Sequence, residues 1–303
     1  MARRLPEEIK QKVRNLLPEL THRQIHKKMG VSLGAISNIR NEKSRIITGK
    51  TIDVVPVSTQ PTSIGVIGND AQVPFHDPIA IDLFFHFCQE TKPDWIDLNG
   101  DMLDFYSISQ FLKDPLRKNE LQKDINILVE LLRRLRDENP NATIYYEYGN
   151  HENRLRKYLW AHDEIACLEC LRVESLLKFN ELGIIPIEKW RKQGDLYIMH
   201  GTVLSKHAGY SAKLHFEKYG VTMMHGHSHR DGKFTRRTLE GHKAVWENYC
   251  LCKLDDVEYD PFPNWTQGFS KVTMVGDRPY VEQIPIINSQ YLYGGNLYGK
   301  EKQ

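Results

Sequence analysis

The chain has 303 residues, 40% of them apolar and 26% charged, with a net charge of +2. This is ordinary globular composition, with enough length to bury a full core. No apolar run approaches the roughly 20 residues of a membrane span, and Met1-Ala2-Arg3-Arg4 lacks the apolar segment of a signal peptide, so a cytoplasmic protein with no membrane partner is expected. Five cysteines form an odd set that argues against a complete disulfide framework. Cys167/Cys170 fall in a helical pattern and Cys250/Cys252 in a strand-like one. Together they have the residue types of a zinc site, but Cys-x-Cys spacing is unusual for structural zinc, and free thiols in a reducing compartment are the simpler reading.

The small net charge conceals a split. Residues 1–50 hold twelve Lys/Arg against four Glu, a net +8, which leaves −6 on the other 253 residues. A basic module for a polyanion is therefore joined to a body with a different task.

That module reads as helical throughout. Pro6-Glu7-Glu8 is a helix start, followed by Ile9, Val13, Leu16 and Leu17 at helical spacing. Thr21 can cap a second helix carrying Ile25 and Met29; Gly30 ends it, Val31 packs into the corner, and Ser32 can cap a third helix bearing Ile36 and Ile39. Two short helices joined through Gly-Val-Ser resemble the helix-turn-helix of resolvases and transcription regulators, with His26 departing from the usual small residue. The resemblance implies a DNA partner, read by Ser32, Leu33, Ser37, Asn38 and Arg40 at the start and exposed face of the third helix, with other Lys and Arg on phosphates. Such heads commonly work as dimers, although no dimerisation seam is visible.

Residues 49–62 read as a linker. Strand and helix then alternate: an apolar run Ile64–Ile67, a helix Ile79–Phe87, a strand Trp95–Leu98, a long amphipathic helix from about Asn119 to Arg136, and a strand Thr143–Tyr148. Helices continue to about Leu182, strands follow at Leu196–Met199 and Val221–Met224, and short β-like runs with turns fill Phe234 to Ile287. The Gly/Tyr/Asn-rich end, residues 291–303, is expected to be flexible.

Chemistry-bearing residues stand at the strand ends. In order these are Asp70-Ala71-Gln72, Gly100-Asp101-Met102-Leu103-Asp104, Gly149-Asn150-His151-Glu152, His200-Gly201 and Gly226-His227-Ser228-His229. Open α/β sheets place ligands outside the carboxyl ends of their strands. The series resembles the calcineurin-like metallophosphoesterases over about residues 63–232. The resemblance implies an α/β fold, an αββα sandwich spanning residues 63–290 behind a small all-α domain at 1–48. Joined to a helix-turn-helix, it also looks like proteins of bacteriophages and mobile elements, which would place the protein in a bacterial or phage-infected cell.

Two divalent metals about 3.5–4 Å apart clamp a phosphoryl group, activate water and stabilise the leaving oxygen. Carried over by position, Asp101 is the bridge, Asp70 and His229 hold the first metal, and Asn150, His200 and His227 hold the second. His151 is then the general acid, and Asp104 orients the site by hydrogen bonding. Arg154 and His207 are candidates to touch substrate. Gln72 stands where the family has histidine, and an amide oxygen shifts preference towards Mn²⁺ or Mg²⁺ over Zn²⁺; His76 lies four residues on. Mn²⁺ is the leading cofactor, with Mg²⁺, Fe and Zn²⁺ as others. The expected activity is a phosphodiesterase or nuclease on DNA. The alternatives are a phosphatase or small-nucleotide phosphodiesterase with a recruiting head, or a DNA-binding regulator on a weakly active scaffold.

Overall fold

A computed structural model describes residues 5–45, 62–114, 120–255 and 262–299. The chain divides into two units, residues 1–57 and 58–303. Among the described residues no helix is long and apolar enough to cross a membrane.

The first unit holds three helices. α1 (Glu7–Leu16) begins after Pro6, with Glu7 and Glu8 in the first turn, where acidic groups face the positive end of the helix dipole. α2 (His22–Met29) opens on a reciprocal capping box between Thr21 and Gln24 and closes on Gly30, whose φ of +66° a side chain would resist. α3 (Leu33–Arg45) follows, and Ser32 Oγ accepts the Ala35 N–H at 3.3 Å. Val13, Ile25, Val31, Ile36 and Ile39 bury into one small core. His26 stays exposed and its ring reaches the Val31 carbonyl at 2.8 Å, so it fastens the turn instead of crowding the helices.

The second unit begins with β1 (Thr62–Gly68), α4 (Pro78–Thr91), β2 (Trp95–Leu98), α5 (Leu121–Glu138) and β3 (Thr143–Glu147). Of the expected linker only Thr62 is described, and it opens β1. Four short helices follow, α6 (Glu152–Trp160), α7 (Asp163–Ala166), α8 (Val173–Leu176) and α9 (Phe179–Leu182). The rest is β4 (Ile184–Ile187), β5 (Arg191–Gln193), β6 (Leu196–Met199), α10 (Tyr210–Tyr219), β7 (Met223–His225), β8 (Gly232–Thr238), β9 (Gly241–Glu247), β10 (Gln267–Val275) and β11 (Arg278–Ile286).

Two mixed sheets carry the fold. The first has the order β11-β10-β1-β2-β3-β4, with β1 to β4 parallel; the second has the order β5-β6-β7-β9-β8, with β6, β7 and β9 parallel. Ile67, Trp95, Val272 and Met274 from the first pack on Leu196, Ile198, Met224 and Trp246 from the second. The outer face of the first sheet is covered by α4 and α5 through Phe84, Phe87, Leu128 and Leu132, and that of the second by α10 through Ala212 and Phe216. The unit is an αββα sandwich.

β4 and β5 carry no pattern that sequence reading detects. β4 contains Pro186, tolerated because the strand lies at a sheet edge. β5 is polar, and its one buried residue, Arg191, pairs with buried Asp97 and lies over the rings of Trp95 and Tyr145 at 4.5 and 4.2 Å.

The expectation of a flexible end is corrected over the residues described. β12 (Gln290–Tyr293) and β13 (Asn296–Gly299) form a hairpin. Tyr291 is buried beside Phe87 and Phe269, and its hydroxyl meets His86 Nδ1 at 2.8 Å. The aromatic residue Tyr291 of this Gly/Tyr/Asn-rich end anchors the hairpin.

Candidate metal centre

Parallel strands bring their carboxyl ends to one edge, and there the loops of both sheets meet. Asp70 follows β1, Asp101 follows β2, Asn150 and His151 follow β3, His200 follows β6, and His227 and His229 follow β7. Asp70, Gln72, Asp101, His227 and His229 all have φ between +49° and +68°. Non-glycine residues avoid that region at a cost on the order of 1 kcal/mol each, and such outliers concentrate at functional sites. Bonds between loops hold them there: Asp70 N–H donates to the Gly100 carbonyl (3.0 Å) and Gln72 N–H to the Asp101 carbonyl (2.9 Å).

Two glycines are required for the close approach. A Cβ at Gly149 would stand 2.0 Å from Asp101 Oδ1, and one at Gly226 would stand 2.7 Å from Asp70 Oδ2. In the space they leave, the His151 N–H donates to Asp101 Oδ1 at 2.8 Å and the His227 N–H to Asp70 Oδ2 at 2.9 Å.

Around Asp101, Oδ2 lies 3.0 Å from His200 Nε2 and 3.6 Å from His151 Nε2. The His200 Nδ1–H donates to the Asn99 carbonyl at 2.8 Å, which aims Nε2 inwards, and Asn150 Oδ1 lies 3.2 Å from that nitrogen. Donor atoms of Asp101, His200 and His227 fall within 4.8 Å of one another. On the other side, His229 Nε2 is 3.1 Å from Asp70 Oδ1, and Gln72 Nε2 is 3.2 Å from His229 Nε2 and 3.5 Å from His151 Nε2.

The electrostatics follow from burying carboxylates among imidazoles. Burial disfavours charge on Asp101, yet His200 and His151 hold its carboxyl well below the usual range. Burial likewise opposes protonation of His200, but Asp101 and Asp70 outweigh it and raise the imidazole to about 10. Burial and the neighbouring His200 push His227 down to about 4. Carboxylate oxygen, inward-facing imidazole nitrogens and an amide oxygen form a donor set that fits a divalent cation, whose charge would take the place of the proton that His200 otherwise holds.

His151 is tethered from behind. Its Nδ1 is 2.9 Å from Asp104 Oδ2, so Nε2 faces the cluster. Arg154, expected on substrate, is instead turned onto Asp104, with NH1 at 2.9 Å from Oδ1 and 2.8 Å from the carbonyl and NH2 at 3.3 Å from His151 Nε2. His207 is exposed, edge-on to Tyr210, and among the described residues no hydrogen bond or ion pair joins it to the cluster. His76 pairs across a single bridge with Cys252. In the other unit, Ser32, Leu33, Asn38 and Arg40 are exposed and Ser37 is half-buried. All five cysteines are free; Cys167 and Cys170 are exposed while Cys250 and Cys252 are buried, and among the described residues the four do not form one group.

Sequence reading placed Glu152 in the third motif but gave it no role. It is buried, and its oxygens accept the backbone N–H groups of Asp101 (3.0 Å), Met102 (3.0 Å), Leu103 (3.3 Å) and Gly149 (2.9 Å) and the Tyr146 hydroxyl (2.7 Å). One carboxylate thus locks the Asp101 loop to the Asn150 loop. The signal was a glutamate directly after the His151 position, where a helix start is also a sufficient explanation. The segment after β9 was missed: Asn248 bonds Asn69, whose amide donates to Asp70 Oδ2 and to the Tyr249 carbonyl.

Beside Asn150 and His200 opens a cleft of about 570 Å³, walled by Tyr148, Trp190, Tyr197 and Tyr219 with Asn153 and Thr202.

No protein-family profile matches the chain. The chain is similar to the Gene 54 protein of Mycobacterium phage D29, at 25% identity across 77% of this chain and 97% of that protein. It is likewise similar to the Gene 54 protein of Mycobacterium phage L5, at 26% identity over 77% of this chain and 97% of that protein. Among solved structures it is similar to Vacuolar Protein Sorting 29 from Cryptosporidium parvum, at 13% identity over 79% of this chain and 99% of that one, with a TM-score of 0.43. It is also similar to Yfce, a phosphoesterase from E. coli, at 11% identity over 70% and 91% with a TM-score of 0.35. A dimetal phosphatase from Danio rerio is similar at 9% identity over 73% and 95% with a TM-score of 0.37.

Proposed function

We propose that the chain is a metal-dependent phosphoesterase that cleaves phosphodiesters of nucleic acid and is brought to DNA by its basic helical head. The observation that carries this reading is the convergence of Asp101, His200 and His227 donors within 4.8 Å, with His151 Nε2 3.6 Å from the same Asp101 carboxylate. Asp101, His200, His227 and Asn150 would hold one cation, and Asp70 and His229 would hold a second, with Gln72 as a further ligand once its amide turns its oxygen inwards. Divalent cations there supply charge that neutralises phosphoryl oxygens and acidifies water. His151 delivers the proton to the leaving oxygen from Nε2, while Asp104 keeps Nδ1 protonated and the ring in place. Arg154 holds Asp104 in turn and so helps to position the acid.

The aromatic cleft favours a nucleotide on one side of the scissile bond. Its volume is within the roughly 300–1,000 Å³ of small-molecule sites, and its Tyr and Trp walls suit stacking against a base. A small-nucleotide phosphodiesterase is the second reading that the same cleft supports. The +8 charge of residues 1–50 and the exposed start of α3 support recruitment to duplex DNA.

A substrate panel tests both readings: duplex DNA, single-stranded DNA, a cyclic nucleotide, a phosphomonoester and a chromogenic phosphodiester, each with Mn²⁺, Mg²⁺ and Zn²⁺. Hydrolysis of DNA with Mn²⁺, abolished in Asp101→Asn and strongly lowered in His151→Ala, is expected. Hydrolysis confined to the cyclic nucleotide selects the second reading, and no metal-dependent hydrolysis of any substrate refutes both.

A further inference from the structure

β9 runs parallel to β7, so its carboxyl end reaches the same edge as the candidate centre, and the chain leaves it through Asn248-Tyr249-Cys250-Leu251-Cys252. The Leu251 N–H donates to the carbonyls of Asn69 (3.1 Å) and Asp70 (3.2 Å), which pins this segment against the Asp70 loop. Residues two apart on an extended segment face the same way. Both thiols therefore turn to one side, where His229 lies, and the donor atoms of His229, Cys250 and Cys252 fall within 4.8 Å of one another. The two cysteines are at most 1% exposed, and Trp265 stands edge-on to the His229 ring at 4.3 Å.

The two nitrogens of His229 face different chemistries. Nε2 is 3.1 Å from Asp70 Oδ1, and Nδ1 is 3.9 Å from Cys252 Sγ. With the proton on Nε2 and donated to Asp70, the Nδ1 lone pair faces the sulfurs. This is the arrangement in which a carboxylate orients a metal-binding imidazole from behind. With the proton on Nδ1, the same ring serves the Asp70 side and Cys252 accepts its hydrogen bond. Two sulfurs and one imidazole suit a soft or borderline cation such as Zn²⁺, Cd²⁺ or Co²⁺, whereas the Asp, Asn and Gln donors across the ring suit harder ones.

We propose that His229 Nδ1, Cys250 and Cys252 form a thiolate site for a soft divalent cation, separate from the Asp101 cluster and joined to it through the two faces of His229. Binding releases the thiol protons to solvent and leaves a fourth coordination position open. The site does not depend on the phosphoesterase reading, and its test contains no phosphoester.

The test is a titration of metal-stripped full-length protein with Co²⁺, carried out in a Cys167→Ser/Cys170→Ser background so that the exposed thiols contribute nothing. A sulfur-to-metal charge-transfer band in the near ultraviolet that rises to saturation with added Co²⁺ is expected, as is its loss when Cys250→Ser and Cys252→Ser are added. Absence of the band, or its survival in the variant with Cys250 and Cys252 replaced, overturns the proposal. X-ray absorption of the Zn²⁺-loaded background protein provides a readout that does not depend on the folding of that further variant. It should show sulfur ligands at about 2.3 Å, and a shell of nitrogen and oxygen alone overturns the proposal.

Discussion

His151 sits between opposing influences. Burial pulls its pKa down, but the Asp101 charge and the Asp104 hydrogen bond raise it above the ordinary 6.5. An acid with a raised pKa keeps its proton to higher pH, so the rate falls as pH climbs through that value. Asp104→Asn removes one of the groups that raise it and should move the alkaline limb of the kcat/KM profile to lower pH; an unmoved limb would detach Asp104 from the acid. His151→Ala should lower kcat by about 10²–10⁴ on an alkoxide leaving group, and by much less on a nitrophenol, which departs without a proton. Gln72 is a second residue with a sharp expectation. Gln72→His should tighten binding of the weaker metal equivalent by calorimetry, since imidazole is the stronger donor to borderline cations.

Among the elements, the centre depends on loops that are held to each other more than to their own strands. Glu152, at the start of α6, accepts from four backbone N–H groups and a tyrosine hydroxyl. Glu152→Gln puts an amide N–H₂ where acceptors are needed and should cost roughly 2–3 kcal/mol by denaturant unfolding, together with a loss of metal affinity. The strand ends at Asp70, Asp101, Asn150, His200 and His227 were legible because each couples an apolar run to a polar motif, and strand period and turn residues mark that junction without reference to the rest of the chain. The β9 end was not legible. Its importance arises from β9 lying parallel to β7, a long-range pairing, and Cys-x-Cys after a strand has no local meaning of its own. β5 was hidden for a related reason: Arg191 belongs in a buried layer only because Asp97 and two aromatic rings receive it. Arg154 was read from its spacing along α6 as a substrate contact, and its partner Asp104, which comes from another loop, could not be foreseen from that spacing.

The whole molecule separates into a basic unit and a sandwich, each with its own core. Removing residues 1–57 should weaken binding to duplex DNA and flatten its salt dependence, by a slope of about 0.9 for each phosphate no longer neutralised, while hydrolysis of a chromogenic phosphodiester persists. The C-terminal hairpin belongs to the sandwich. Tyr291→Ala should cost about 3–4 kcal/mol of its stability, because a buried aromatic ring and its bond to His86 both disappear. Metal-dependent chemistry at the Asp101 cluster is decided by hydrolysis of a phosphodiester by metal-stripped protein before and after Mn²⁺ is restored, with Asp101→Asn run in parallel. Turnover should appear only with metal and stay absent in Asp101→Asn; turnover that survives chelation, or that Asp101→Asn retains in full, would contradict the assignment of this cluster as the metal centre of a phosphoesterase.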